Sequence, residues 1–281
     1  MGKNSKIEWL SVIDDNGEKH PGHTFNPWIG CTHKSPGCKF CYAENLMDTR
    51  MKKVEWGAKG VRQKTNDKYY KGPIDWNRKA SKKGVQELVF CASLADVFDE
   101  HPSIDPAWRE ELWSLVHQCE SLSWLLLTKR PENISMFIPE SWGTSGWPDN
   151  VWLGTSVEDQ KRADERIPLL LEHDAVVRFL SCEPLIEKVD LSGRLDGIDW
   201  VIVGGESGLK SKIRPMEEDW LLSIIGQCRE QNVAVFVKQA GSLLADEMGF
   251  SSKRGGDIDE WPKSWRHRHF PIPRLSRNIK S

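Results

Sequence analysis

From residue 87 to residue 239 continuously apolar runs alternate with amphipathic stretches. The runs are ELVFCAS from Glu87, WLLLTKR from Trp124, VWLGTS from Val151, AVVRFLSCE from Ala175, WVIVGGE from Trp200 and VAVFVKQ from Val233. None alternates with a period of two, which predicts strands covered on both faces. Between the first two runs, Asp105 and Pro106 announce a helix, with Trp108, Leu112, Leu115, Val116 and Cys119 along one side. QKRADERIPLLLEH from Gln160 and the stretch holding Leu221, Ile224, Ile225 and Cys228 predict two more helices. HTFNPWI from His23 adds a strand at the start, giving seven in all.

Buried strands linked by helices define an α/β fold with a parallel sheet and right-handed crossovers. The polar residues decide between its two architectures. They recur at nearly every strand end: Ser93 and Asp96, Thr128 to Arg130, Thr155 to Glu158, Ser181 and Glu183, Glu206 and Ser207, Lys238 and Gln239. An open sheet concentrates such residues at one switch point, whereas a barrel gathers them from every strand. The expectation is therefore a single domain over residues 1–281 built as a partial (β/α) barrel of TIM type. Residues 50–84 form an excursion from it, broken by Gly57, Gly60, Gly72 and Pro73, and residues 251–281 an irregular tail.

Charge changes this picture at one place. The net charge of −2 conceals a +9 segment from Arg50 to Gly84, leaving −11 elsewhere. The segment interleaves Trp56, Tyr69, Tyr70 and Trp76 with its cations, a composition suited to phosphates met by lysine and bases stacked on rings. The other reading is that the rings anchor the segment to the barrel. No run of eighteen apolar residues is present and the first twenty residues are polar, so a cytoplasmic protein without a membrane span is expected.

Of the seven cysteines, Cys91, Cys119, Cys182 and Cys228 stand singly in apolar runs, where a buried thiol is ordinary. Cys31, Cys38 and Cys41 fall within eleven residues directly after the first strand. Clustered thiolates are soft-metal ligands. With His33 as a fourth ligand the pattern suits a closed structural zinc site, in a protein that binds nucleic acid and performs no radical chemistry. With three ligands only, it suits an iron–sulfur cluster with one open position.

The pair Cys38-Lys39-Phe40-Cys41 resembles the end of the C-x3-C-x2-C motif of the radical S-adenosylmethionine superfamily, although six residues here separate Cys31 from Cys38. Over residues 5–275 the chain more closely resembles a phage-associated family with a three-cysteine motif. That resemblance rests on Asn26-Pro27-Trp28-Ile29-Gly30-Cys31, on Ser93 to Phe98 and on Gly204 to Gly208.

The superfamily resemblance implies a barrel of radical S-adenosylmethionine type with a [4Fe–4S] cluster on Cys31, Cys38 and Cys41. It also implies S-adenosylmethionine as cofactor, an external electron donor, and reductive cleavage to a 5′-deoxyadenosyl radical that modifies a substrate. Phe40 would lie near the adenine, Ser93 and Asp96 near the cofactor, and Ser156 and Glu158 near the ribose. The superfamily's Gly-Gly-Glu turn follows its second strand, whereas Gly204-Gly205-Glu206 follows the sixth run here. Glu158, Glu183, Glu206 and Lys238 are the catalytic candidates, and Arg214, Lys238 and Gln239 the substrate candidates. The basic segment points to a nucleic acid or nucleotide as substrate, and a partner enzyme is compatible with this scheme.

Overall fold

The structure, a computed structural model, describes residues 2–14 and 16–274. Seven strands carry the main sheet: β1 (His23–Phe25), β2 (Glu87–Cys91), β3 (Leu122–Thr128), β4 (Val151–Ser156), β5 (Val177–Cys182), β6 (Trp200–Gly204) and β7 (Ala234–Gln239). These are the seven apolar runs, and their order across the sheet is β7-β6-β5-β4-β3-β2-β1. A sheet whose order follows the chain without reversal has the strand order of an incomplete β/α barrel and lacks the switch point of a doubly wound sheet.

The chain divides into two compact units. The first comprises Met1–Lys34, Cys41–Leu153 and Asp174–Val176. In it β1 pairs with β2 and β2 with β3, all parallel. Every residue of β2 is buried. The expected first strand is shorter than its sequence run, because Pro27 supplies no N–H to continue the ladder. Trp28–Ile29 instead pairs antiparallel with Gln63–Lys64. Helix α2 (Pro106–Gln118) starts as expected, with the Asp105 side chain accepting from the N–H of Ala107 and Pro106 in the first turn.

The basic segment corrects the sequence reading. Gly72 and Pro73, read as breakers, lie inside the seventeen-residue helix α1 formed by Asp67–Lys83. Asn66 caps its start by accepting from the N–H of Tyr69, and Gly84 ends it in the left-handed conformation. Its rings point inward. Tyr69 stacks on Phe25 at 5.2 Å and donates to the carbonyl of Thr24, while Trp76 stacks on His23 at 4.2 Å. Tyr70 packs edge-on to Phe25, and Trp56 packs against the small core of Ala43, Met47, Val54 and Leu94. The anchoring reading of these aromatics therefore holds, and none of the four is a free stacking platform.

The second unit comprises Ser35–Phe40, Gly154–His173 and Val177–Ser281. Here β5, β6 and β7 run parallel; α3 (Gln160–Leu171) leads into β5, and α4 (Glu218–Glu230) is the crossover from β6 to β7. In the tail, Arg268 bridges antiparallel to Phe236, the N–H of Val237 donates to His267 and the N–H of His269 to Val235. This covers the outer edge of β7, which would otherwise offer unpaired backbone groups. Trp261 and Trp265 bury themselves as the tail turns back. Residues 275–281 of the expected tail lie outside the described residues.

Candidate functional site

The cysteine loop begins where β1 ends, and the first unit fixes its entry. Asn26, buried at the strand end, accepts from the N–H of Leu94 at 2.7 Å and shares its amide with the Ser93 hydroxyl at 3.2 Å. The N–H of Gly30 donates to Leu94 at 3.1 Å. Gly30 has φ +112, and a Cβ there would lie 3.0 Å from the Arg62 side chain, so only glycine suits the position.

Beyond Gly30 two buried arginines hold the backbone around Cys31. Arg130 approaches the Cys31 sulfur at 3.7 Å and donates to the carbonyl of Thr32 at 2.8 Å. Arg62 donates to the Thr32 hydroxyl at 2.5 Å and to the carbonyls of Gly57 and Gly60. Asp96 lies 3.2 Å from Arg130, and Asp99 pairs with Arg62 at 2.7 Å and with Arg130 at 3.5 Å. Arg109, also buried, donates to the carbonyls of Val97 and Asp99. Three buried guanidinium groups thus face two buried carboxylates. Burial alone would lower the Arg130 pKa, but Asp96, Cys31 and Asp99 outweigh it and hold the group firmly protonated.

Asp96, expected near a cofactor, is buried. It accepts from Arg130, from the Thr128 hydroxyl at 2.8 Å and from the N–H groups of Phe98 and Lys129. Ser93 lies beside Asn26, and its carbonyl accepts from the Tyr42 hydroxyl at 2.6 Å.

In the second unit, Ser35 to Phe40 rests on residues from the ends of β4 and β6. The Ser35 hydroxyl donates to Glu158, and a Cβ on Gly37 would come 3.0 Å from the Glu158 carboxyl carbon. Glu158 is fully buried and paired with Arg166 at 2.9 Å. Arg166 also donates to the carbonyl of Ser156 at 2.9 Å. Arg214 grips Glu206 through its backbone N–H and guanidinium, at 2.9, 3.1 and 2.6 Å. The same guanidinium donates to the carbonyl of Pro36 at 2.8 Å and lies 5.5 Å above the Phe40 ring.

The three strand-end glutamates therefore take three different cations: Arg166, Lys238 and Arg214. Lys238 meets Glu183 directly, and Gln239 donates to the Ser207 hydroxyl at 2.6 Å and to the carbonyl of Gly205 at 3.1 Å. Exposure separates them. The Glu158 side chain is 0% exposed and that of Glu206 6%, against 19% for Glu183 and 20% for Lys238. The Arg166–Glu158 pair is therefore closed to solvent, whereas Arg214, at 23%, and the Glu183–Lys238 pair are partly open. Gly205 has a packing reason, since a Cβ there would lie 2.3 Å from the Ala240 carbonyl.

The cysteines divide by environment. Burial pushes the thiols of Cys91 and Cys182 far up, that of Cys119 to about 11 and that of Cys228 to about 12, so all four are inert. Cys31, Cys38 and Cys41 are half-buried, and no disulfide joins any cysteine of the described residues. Thiols of this kind, partly exposed and closely spaced in sequence, have the chemistry of soft-metal ligands. His33 pairs with Glu44 at 2.7 Å through Nε2, both side chains well exposed. Arg130 was missed in the sequence because ninety-nine residues separate it from Cys31; the only signal was the Thr-Lys-Arg end of its strand.

The parallel sheet and the cysteine loop define an α/β protein of barrel-like strand order. The chain belongs to the DUF5131 family, described as proteins of unknown function, which it matches over residues 4–266. No curated protein and no solved structure matches it. Among the described residues no helix is long and apolar enough to cross a membrane.

Proposed function

We propose that the protein is an iron–sulfur enzyme of radical S-adenosylmethionine type acting on a nucleic acid or nucleotide. The observation that carries this reading is the contrast among the cysteines: four buried and inert, three half-buried within one loop. Cys31, Cys38 and Cys41 would hold a [4Fe–4S] cluster. With S-adenosylmethionine and one electron from an external donor, that cluster supplies cleavage to methionine and a 5′-deoxyadenosyl radical, which takes a hydrogen atom from the substrate.

The chain's own residues orient and exclude. Arg130 and Arg62 hold the backbone at Thr32, so the first thiolate enters at a fixed position. Glu158 and Arg214 hold the Ser35–Phe40 segment. Glu183 and Lys238, partly exposed, and the buried Gln239 present a donor–acceptor set at the ends of β5 and β7, suited to a polar substrate group. Ser93, Ser156 and Phe40 remain cofactor candidates by resemblance, whereas Glu158 and Asp96 are assigned to positioning.

The test is anaerobic reconstitution with iron and sulfide followed by reduction in the presence of S-adenosylmethionine. Formation of 5′-deoxyadenosine, lost in Cys31→Ala, Cys38→Ala and Cys41→Ala, is the expected result. An intact, reducible cluster that yields none would overturn the reading. The second reading is a structural Cys3His zinc site in a nucleic-acid-binding protein. The His33–Glu44 pair favours it, because a metal-bound imidazole commonly gives its other nitrogen to a carboxylate.

A further inference from the structure

Helix α1 divides its residues cleanly between two faces. Tyr69, Pro73, Trp76 and Ala80, at spacings of four, three and four, pack inward. Lys68, Lys71, Asp75, Lys79 and Lys82, at spacings of three, four, four and three, form one outward stripe, all exposed. At about 1.5 Å per residue the stripe is about 21 Å long.

Some lysines of this protein are matched with acids, among them Lys34 with Glu132, Lys64 with Glu111, Lys161 with Glu165, Lys188 with Asp219 and Lys210 with Asp246, while others such as Lys52, Lys53 and Lys212 make no ion pair among the described residues. Among the described residues, Lys68, Lys71, Lys79 and Lys82 make no ion pair, and the single acid of the stripe, Asp75, is taken by Arg78 at 3.0 Å. Helix electrostatics account for Lys82 and Lys83 in the last turn but not for Lys68 in the first, where the dipole disfavours a cation. What sets α1 apart is the gathering of four such cations in one row on one helix face, an arrangement that a polyanion neutralises.

We infer that this face docks the phosphate backbone of a double-stranded nucleic acid. The inward rings decide against a single strand, because sequence-tolerant single-strand binding relies on exposed aromatic platforms and α1 presents none. A straight row of point charges on a rigid helix matches the regular phosphates of a duplex. The inference rests on the proposal of a nucleic acid substrate and not on the radical chemistry. It narrows that substrate to a duplex bound without regard to sequence.

Fluorescence anisotropy with the full-length chain and labelled 20-base-pair DNA duplex, RNA duplex and oligo-dT tests it, before and after iron reconstitution. Four phosphate contacts give a log–log salt slope near −3.6 on DNA, a loss of roughly 100-fold between 50 and 200 mM salt. Duplex, of DNA or RNA, should bind more tightly than oligo-dT. The variant K68E/K71E/K79E/K82E should lose binding by at least 50-fold, whereas K161E/K188E should not. These positions are exposed, and circular dichroism would verify the helix. Binding that is salt-independent, indifferent to the four substitutions, tighter for oligo-dT or equally tight for phosphatidylserine vesicles would overturn the inference. So would no duplex binding at 50 mM salt. S-adenosylmethionine cleavage is measured without nucleic acid, so either proposal can fail alone.

Discussion

Arg130 stands 3.7 Å from the sulfur of Cys31 while Asp96 and Asp99 hold its guanidinium in place, so a buried ion pair and the first cysteine of the loop share one group. Arg130→Met would leave Asp96 buried without its cation, a loss of about 3–5 kcal/mol. Denaturant unfolding measures this, and iron retained after desalting should fall in parallel. A loss below about 1 kcal/mol with iron retention intact would remove Arg130 from the account.

His33 offers the cheapest separation of the two metal readings. It is exposed and engaged by Glu44. His33→Ala is expected to leave metal content unchanged, because the loop's thiolates suffice for a three-cysteine cluster. Loss of metal would favour zinc with a fourth ligand.

Gly205 tests whether the Gly-Gly-Glu turn is a packing device. Ala at this position would bring its Cβ to 2.3 Å from the Ala240 carbonyl, a backbone atom with little room to move. Gly205→Ala should cost about 1–3 kcal/mol in thermal or chemical unfolding. Full stability with altered S-adenosylmethionine affinity would return the turn to cofactor binding.

The second unit carries a pH dependence. Burial holds the His173 imidazole below its ordinary value of 6.5, with Glu172 opposing weakly, and burial followed by His269 and Arg229 does the same to His267. Above pH 6.5 both folded and unfolded chains keep these groups neutral. As the pH falls below it, the unfolded chain takes protons that the folded chain resists, so stability drops. The denaturation midpoint should decline between pH 7 and pH 5.5, and less steeply in His173→Gln. A midpoint rising over that range would contradict the assignment.

Six of the seven strands were legible because each is a continuous apolar run, a signal that survives without knowledge of partners. Helix α1 was not, because Gly72 and Pro73 mark a break in any local reading. An interior proline costs about 3 kcal/mol. Burial of Trp76 and Tyr69, each contributing about 1.5–3 kcal/mol, offsets it, and that burial depends on Phe25 and His23 more than forty residues away. At the candidate site the residue types were readable but not their pairings. Glu158, Glu183 and Glu206 look alike as strand-end carboxylates. Only their partners Arg166, Lys238 and Arg214 show that each is paired, that Glu158 and Glu206 are buried and that Glu183 is partly open.

Metal analysis of anaerobically purified protein tests the central claim most directly. The account predicts brown protein with about four iron and matching sulfide per chain, lost when Cys31, Cys38 or Cys41 is replaced. Colourless protein with about one zinc per chain would contradict it.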